Sequence, residues 1–269
     1  MKVQYCSDLH LEFAQNEKFL ADNPIQAVGD ILVLAGDIIY WEPENFKHRF
    51  FDYVSDHFKA VYYIPGNHEF YSGKEVQILD RPVFEPLREN VFLVNNKQIN
   101  IEGIDFFFSL FWSHIPTNEE LIIERKINDF YKIRHKGKKL RSPDFNRLHA
   151  ESLSFLTQAI KNSAADKKIV VTHHIPTQLC NPEQFRNSQI NPAFVSEHYD
   201  FIADSDIDYW IYGHHHINMP ETEINGTKLV TNQLGYVHMG EHHQYRHSAY
   251  IDLGWTRRFP APFGATHIK

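Results

Sequence analysis

Residues 31–37 read Ile31-Leu32-Val33-Leu34-Ala35-Gly36-Asp37, five apolar residues without a break followed by a glycine and a carboxylate. A run this short and this apolar suits a strand buried on both faces, in a sheet sandwiched between other layers. Four further runs have the same form. Val3-Gln4-Tyr5-Cys6 leads into Ser7-Asp8, Ala60-Val61-Tyr62-Tyr63-Ile64 into Pro65-Gly66-Asn67-His68, Ile169-Val170-Val171 into Thr172-His173, and Tyr209-Trp210-Ile211-Tyr212 into Gly213-His214. Five expected strands thus end in residue types that ligate metals.

Helical patterns fill the intervals. Phe46, Phe50, Val54 and Phe58 fall on one helical face, as do Leu153, Leu156 and Ile160. Thr117 followed by Glu120 reads as a capping box that opens a helix through about Phe130. Residues 91–112 read as consecutive strands, VFLVN and then INIEGIDFFFSLF, and a second strand-rich zone covers 228–231 and 249–253. The expected fold class is α/β, a sandwich of mixed sheets with helices outside. One domain over residues 1–269 is expected, with a cap or rim insertion at about 116–147.

With 42% apolar and 14% aromatic residues in 269, the chain can bury a substantial core. Lys and Arg number 27 against 34 Asp and Glu, a formal charge of -7 that argues against coating nucleic acid or an anionic membrane. No stable nucleic-acid complex and no membrane association are therefore expected. The opening MKVQYCSDLHLEF has no unbroken apolar stretch of the signal-peptide kind, so a cytoplasmic protein is expected. Cys6 and Cys180 build no disulfide framework and read as ordinary thiols. The compositional signal is histidine, at 18 residues.

The strand ends deliver Asp8 and His10, Asp37, Asn67, His173, and His214 with His216. Residues i and i+2 of an extended segment point the same way, so each close pair can converge on one point. Ligands at the carboxyl ends of strands in an α/β sheet meet in one crevice. The glycines Gly36, Gly66 and Gly213 are expected to let the backbone turn where a ligand is presented. Mixed oxygen and nitrogen donors suit Mn, Fe, Co, Ni or Zn better than calcium, and the lack of thiolates argues against a closed structural zinc site.

The ordered set Asp8-x-His10, Gly36-Asp37, Gly66-Asn67-His68-Glu69, His173 and Gly213-His214-His215-His216 resembles the calcineurin-like metallophosphoesterase superfamily. The resemblance implies a four-layer α/β/β/α sandwich of two mixed sheets, with the metal site at the carboxyl ends of strands. It implies two divalent ions, Mn, Fe, Ni or Zn with Mn favoured. Asp8, His10 and His216 would hold one, Asn67, His173 and His214 the other, and Asp37 would bridge them. It further implies a metal-bridging hydroxide that attacks phosphorus, with His68 as the acid that protonates the leaving oxygen. The substrate would be a phosphorylated small molecule or nucleotide, as a mono- or diester.

The chain departs from the protein serine/threonine phosphatases of that superfamily. Those carry GDxVDRG, whereas residues 36–41 read Gly36-Asp37-Ile38-Ile39-Tyr40-Trp41. Neither the acid that would orient His68 nor the arginine that would grip phosphate stands there. A phosphoprotein substrate is disfavoured, and the sequence names no partner for His68. The competing functions are a catalytically silent metal-binding scaffold of the same fold and, ranked lower, a redox metal protein.

His174 and His215 neighbour ligands and are expected, from strand alternation, to point away from them as packing groups. The late cluster His238, His242, His243 and His247 reads as a solvated loop, and the basic run 134–141 as a solvated face. Trp112 fits a core position and the pocket rim equally.

Overall fold

A computed structural model describes residues 1–254 of the chain. The reading of 1–269 as one domain includes 255–269, which lie outside the described residues. The strands are β1 (Lys2–Cys6), β2 (Ile31–Ala35), β3 (Ala60–Ile64), β4 (Val83–Arg88), β5 (Val91–Asn95), β6 (Lys97–Ile101) and β7 (Ile104–Ser109). After them come β8 (Arg134–His135), β9 (Lys138–Lys139), β10 (Lys167–Thr172), β11 (Tyr209–Tyr212), β12 (Thr222–Ile224), β13 (Thr227–Thr231) and β14 (Tyr250–Asp252).

Two six-stranded sheets result, ordered β14-β1-β2-β3-β5-β4 and β12-β13-β11-β10-β7-β6. Each has four parallel strands in the middle and an antiparallel strand at each edge. The mixed α/β sandwich is the architecture observed, in four layers.

Side-chain alternation assigns the layers. Ile31, Val33 and Ala35 of β2 pack between the sheets with Phe106, Phe108, Ile169 and Val171. Leu32 and Leu34 point the other way, onto Phe51 and Val54 of the helix Arg49–His57. On the second sheet Phe107, Val170 and Trp210 meet Leu156 and Ile160 of the helix Ser142–Asn162. Because β2 is covered on both faces, no polar alternation survives in its sequence. Full burial of each such Val, Leu or Phe contributes about 1.5–3 kcal/mol.

The helix expected from Thr117 through Phe130 is instead two pieces, Glu120–Lys126 and Asp129–Lys132, with no capping box. Residues 117–119 form a turn in which the Glu119 amide donates to the Pro116 carbonyl at 2.9 Å. Ile127 is extended between the pieces, at φ −98° and ψ 132°. That break buries Ile127 and turns Asp129 inward. The rest of 116–147 holds the β8–β9 hairpin and the start of the helix at Ser142. Among the described residues no helix is long and apolar enough to cross a membrane.

Candidate metal centre

The five strands β1, β2, β3, β10 and β11 all point their carboxyl ends at one crevice, and the loops leaving them fold back tightly. Asp8, His10, Asp37, His214 and His216 have φ of 56°, 47°, 55°, 86° and 57°. A non-glycine residue in this left-handed region is disfavoured by about 1–2 kcal/mol, so these loops are held by their surroundings. Ligand convergence therefore comes from left-handed turns and not from strand alternation, which corrects the i, i+2 expectation. The hold is a ladder that continues beyond the strands. The amides of Asp8, His10 and Leu11 donate to the carbonyls of Gly36, Asp37 and Ile38 at 2.9, 3.0 and 2.8 Å. The His214 amide donates to both Asp8 carboxylate oxygens at 3.1 Å.

The glycines act in two ways. Gly36 has φ +91°, a turn that only glycine makes easily. Gly66 is not in the left-handed region, and its role is close approach. A Cβ there would lie 2.1 Å from Asp37 Oδ1 and 2.7 Å from His173 Nε2. Gly213 is the same case, with Ser7 Oγ at 2.6 Å.

Asp8, His10, Asp37 and His216 present ligand atoms within 4.8 Å of one another, and so do Asp37, His173 and His214. Asp37 is common to both groups. Asn67 Oδ1 lies 3.2 Å from His173 Nε2, beside the second group. All seven candidate ligands meet in one cluster, and six of them, all but His216, are buried.

The donor set fits cations. His10 Nδ1 donates to Glu12 Oε1 at 3.0 Å, and His216 Nδ1 donates to Glu241 Oε2 at 2.7 Å. Both neutral rings therefore carry a bare Nε2, yet those two nitrogens face each other at 2.9 Å. Two lone pairs at that distance repel, so the pair needs either a proton on one Nε2 or a metal cation shared by both. His173 Nδ1 likewise donates to the Ala35 carbonyl at 2.9 Å, leaving its Nε2 toward Asp37 Oδ2 at 3.4 Å. Each ring is oriented by a partner behind it, as in metal-ligating histidines generally.

On the protein's own groups, protons take that place. Burial opposes charge on His216, but hydrogen bonds to Asp8 and Glu241 lift its pKa to about 10. Burial likewise opposes charge on His173, and the Asp37 carboxylate prevails to lift it to about 9. Burial disfavours ionised Asp37, yet the positive rings of His173 and His68 hold its pKa well below the usual carboxylate range.

His68 stands beside this cluster. Its amide donates to Asp37 Oδ1 at 2.9 Å, and its Nδ1 donates to Glu12 Oε1 at 3.1 Å. Its Nε2 is 3.2 Å from the Tyr236 hydroxyl, and its ring stacks on Tyr71 at 4.2 Å. Burial works against a charge on His68, while Asp37 and then Glu12 raise its pKa above the ordinary value.

Several residues here have no reading in the sequence analysis. Glu12 holds His10 and His68. Glu69 is fully buried and accepts from the amides of Asp37, Ile38 and Gly66 at 3.1, 2.8 and 2.7 Å, tying two ligand loops together. Asp129 Oδ1 accepts from Asn67 Nδ2 at 2.9 Å and from the Tyr71 hydroxyl at 2.5 Å, so the Asn67 carbonyl faces the cluster. Of these, Glu12 and Glu69 had a signal, since Glu12 stands two residues beyond the first ligand pair and Glu69 closes the third block.

His174 packs its ring on His214 at 4.1 Å, and His215 stacks on Phe194 at 5.4 Å. The late cluster splits: His242 packs on Phe19 at 4.9 Å, while His238 and His243 are exposed. The chemistry in that loop comes from Glu241. In the basic run, Arg141 pairs with Glu124 at 2.7 Å and Lys136 with Asp80 at 3.5 Å, away from the centre. Trp112 is a core residue, 1% exposed and packed on Phe145.

Comparison with known proteins agrees with this geometry. A family model described as calcineurin-like phosphoesterase matches residues 1–218. An uncharacterized protein of Acanthamoeba polyphaga mimivirus is 29% identical over 278 residues, 93% of this chain and 96% of that protein. The crystal structure of phosphopantetheinyl hydrolase from Mycobacterium tuberculosis superposes with a TM-score of 0.70 at 15% identity, covering 96% of this chain and 98% of that one. That likeness is one of fold.

Proposed function

The chain belongs to the calcineurin-like phosphoesterase family, and we propose that it hydrolyses a phosphate ester with a pair of divalent cations. Asp8, His10 and His216 would hold one, Asn67, His173 and His214 the other, with Asp37 shared. The observation that carries this is the meeting of the seven candidate donors in one cluster around Asp37, with the Nδ1 atoms of His10 and His216 committed to carboxylates so that both Nε2 atoms face inward. Mn is favoured among Mn, Fe, Ni and Zn for the oxygen donors Asp8, Asp37 and Asn67, while the four imidazoles suit Fe, Ni and Zn. When bound, such ions supply Lewis acidity toward the phosphoryl oxygens and lower the pKa of water.

The protein's own groups do the remaining work. Water oxygen bonds to phosphorus as the phosphorus–alcohol oxygen bond breaks, and the electron pair leaves with the alcohol. His68 gives that oxygen its proton, the water sheds one to solvent as it bonds to phosphorus, and His68 is reprotonated from solvent. Glu12 keeps the Nδ1 hydrogen of His68 occupied, so Nε2 is the nitrogen turned to the site, where the Tyr236 hydroxyl lies. The Tyr71 ring fixes the plane of the imidazole.

The test is to strip the protein of metal and restore Mn, Fe, Ni or Zn one at a time, assaying a chromogenic phosphomonoester and the matching diester. Turnover is expected to return with metal and to drop about 10²- to 10⁴-fold in His68→Ala. No turnover with two ions bound per chain would instead support the silent scaffold.

A further inference from the structure

A cavity of about 310 Å³ opens directly onto the metal centre, large enough for a small molecule. One side is the centre itself, with Asp37, Asn67, His68, His214 and His216. The rest of the wall comes chiefly from two other segments, with Ile127 and Asn128 from one and Phe185, Ser188, Ile190, Asn191 and Phe194 from the other.

That wall is built and not incidental. Phe185 and Phe194 stack on His215 with centroids at 5.3 and 5.4 Å and planes 27° and 12° apart. The segment carrying them is pinned by a bridge between Ile175 and Val195 and by Asn181 Nδ2 donating to Asn191 Oδ1 at 2.9 Å. Lys126 Nζ donates to Gln189 Oε1 at 3.1 Å, linking the two segments across the rim.

Charge limits the occupant. Among the described residues that line this cavity Lys126 is the one Lys or Arg, and it is exposed. A chain of phosphates needs further Lys or Arg partners. Phe185, Ile190 and Phe194 offer a sugar's hydroxyls no partners, while Asn128, Ser188 and Asn191 can pair a few, so the fit is to a ring with few polar groups.

We infer that this cavity is the site for the alcohol half of the substrate, and that the substrate is an ester of a single phosphate with a compact, ring-bearing, weakly polar alcohol. The phosphate meets the metal centre while the ring lies against Phe194 and Phe185. This rests on the phosphoesterase reading of the centre.

The experiment is equilibrium binding of phenylphosphonate and methylphosphonate to the manganese-loaded protein, which separates ring recognition from turnover. Phenylphosphonate is expected to bind about tenfold tighter, as a buried ring contact implies. In Phe185→Ala and Phe194→Ala that preference should shrink toward one while methylphosphonate affinity and metal content stay unchanged. Phe194 also touches His214 at 4.8 Å, so Phe185→Ala is the variant that leaves the ligands alone. Equal affinities in the wild type, or a preference untouched in both variants, would overturn the assignment. Failure of either phosphonate to bind, with metal-dependent ester turnover intact, would also overturn it. Ring preference without turnover of any ester would sink the hydrolase reading and leave the ring site standing.

Discussion

The Glu12 carboxylate accepts from His68 Nδ1 at 3.1 Å. An acid two residues beyond the Asp8-x-His10 pair thus supplies the partner that the second motif block lacks. The same oxygen also accepts from His10 Nδ1 at 3.0 Å, so one side chain orients a ligand and the proposed acid together. Replacing Glu12 with Gln is expected to lower turnover by about 10- to 100-fold. The loss should be greater for an ester with a poor leaving group, which needs its proton, than for an activated aryl ester. Measuring both in parallel checks this, and an equal loss on the two would assign Glu12 to metal binding alone.

Asp129 reaches the centre from a segment 62 residues beyond Asn67 and fixes which end of that amide faces inward. If the centre holds two ions as proposed, Asp129→Ala is expected to weaken one of them about 10- to 100-fold and leave the other unchanged. Titration of metal into the stripped protein, followed by calorimetry, would show whether one step or both have moved.

Gly66→Ala places a methyl group 2.1 Å from Asp37 Oδ1 and 2.7 Å from His173 Nε2. These are buried groups with no room to withdraw, so destabilisation of about 1–3 kcal/mol is expected. Loss of bound metal should accompany it. Thermal unfolding and metal content of the purified variant read both effects.

Away from the centre, His198 stacks on His149 at 5.2 Å, and its buried Nε2 has no hydrogen-bond partner. Burial, reinforced by His149, lowers its pKa from 6.5 to about 4. The folded chain then binds fewer protons at this site than the unfolded chain between pH 4 and 6.5. Its contribution is therefore present above about pH 6.5 and is lost as pH falls toward 4, amounting to about 2 kcal/mol at pH 5. His198→Phe should flatten the fall in urea midpoint between pH 7 and pH 5 by part of that amount. An unchanged slope would mean that other groups carry it.

The sequence by itself determined the strands and pointed to the candidate ligand set. An unbroken apolar run such as 31–35 is a local record of burial on both faces, and a ligand type at the end of each run marks the edge where those strands stop. The family resemblance extended this to which residues share an ion. Tertiary structure alone decided what stands behind the ligands. Glu12 beside His68, Asp129 behind Asn67 and Glu241 behind His216 meet across separations of 56, 62 and 25 residues. No periodicity links such positions, because loops are set by where the two sheets bring them and not by local preference. The left-handed turns at Asp8, His10, Asp37, His214 and His216 are of the same kind. Their own φ preferences run the other way, and only the surrounding ladder and packing hold them in place.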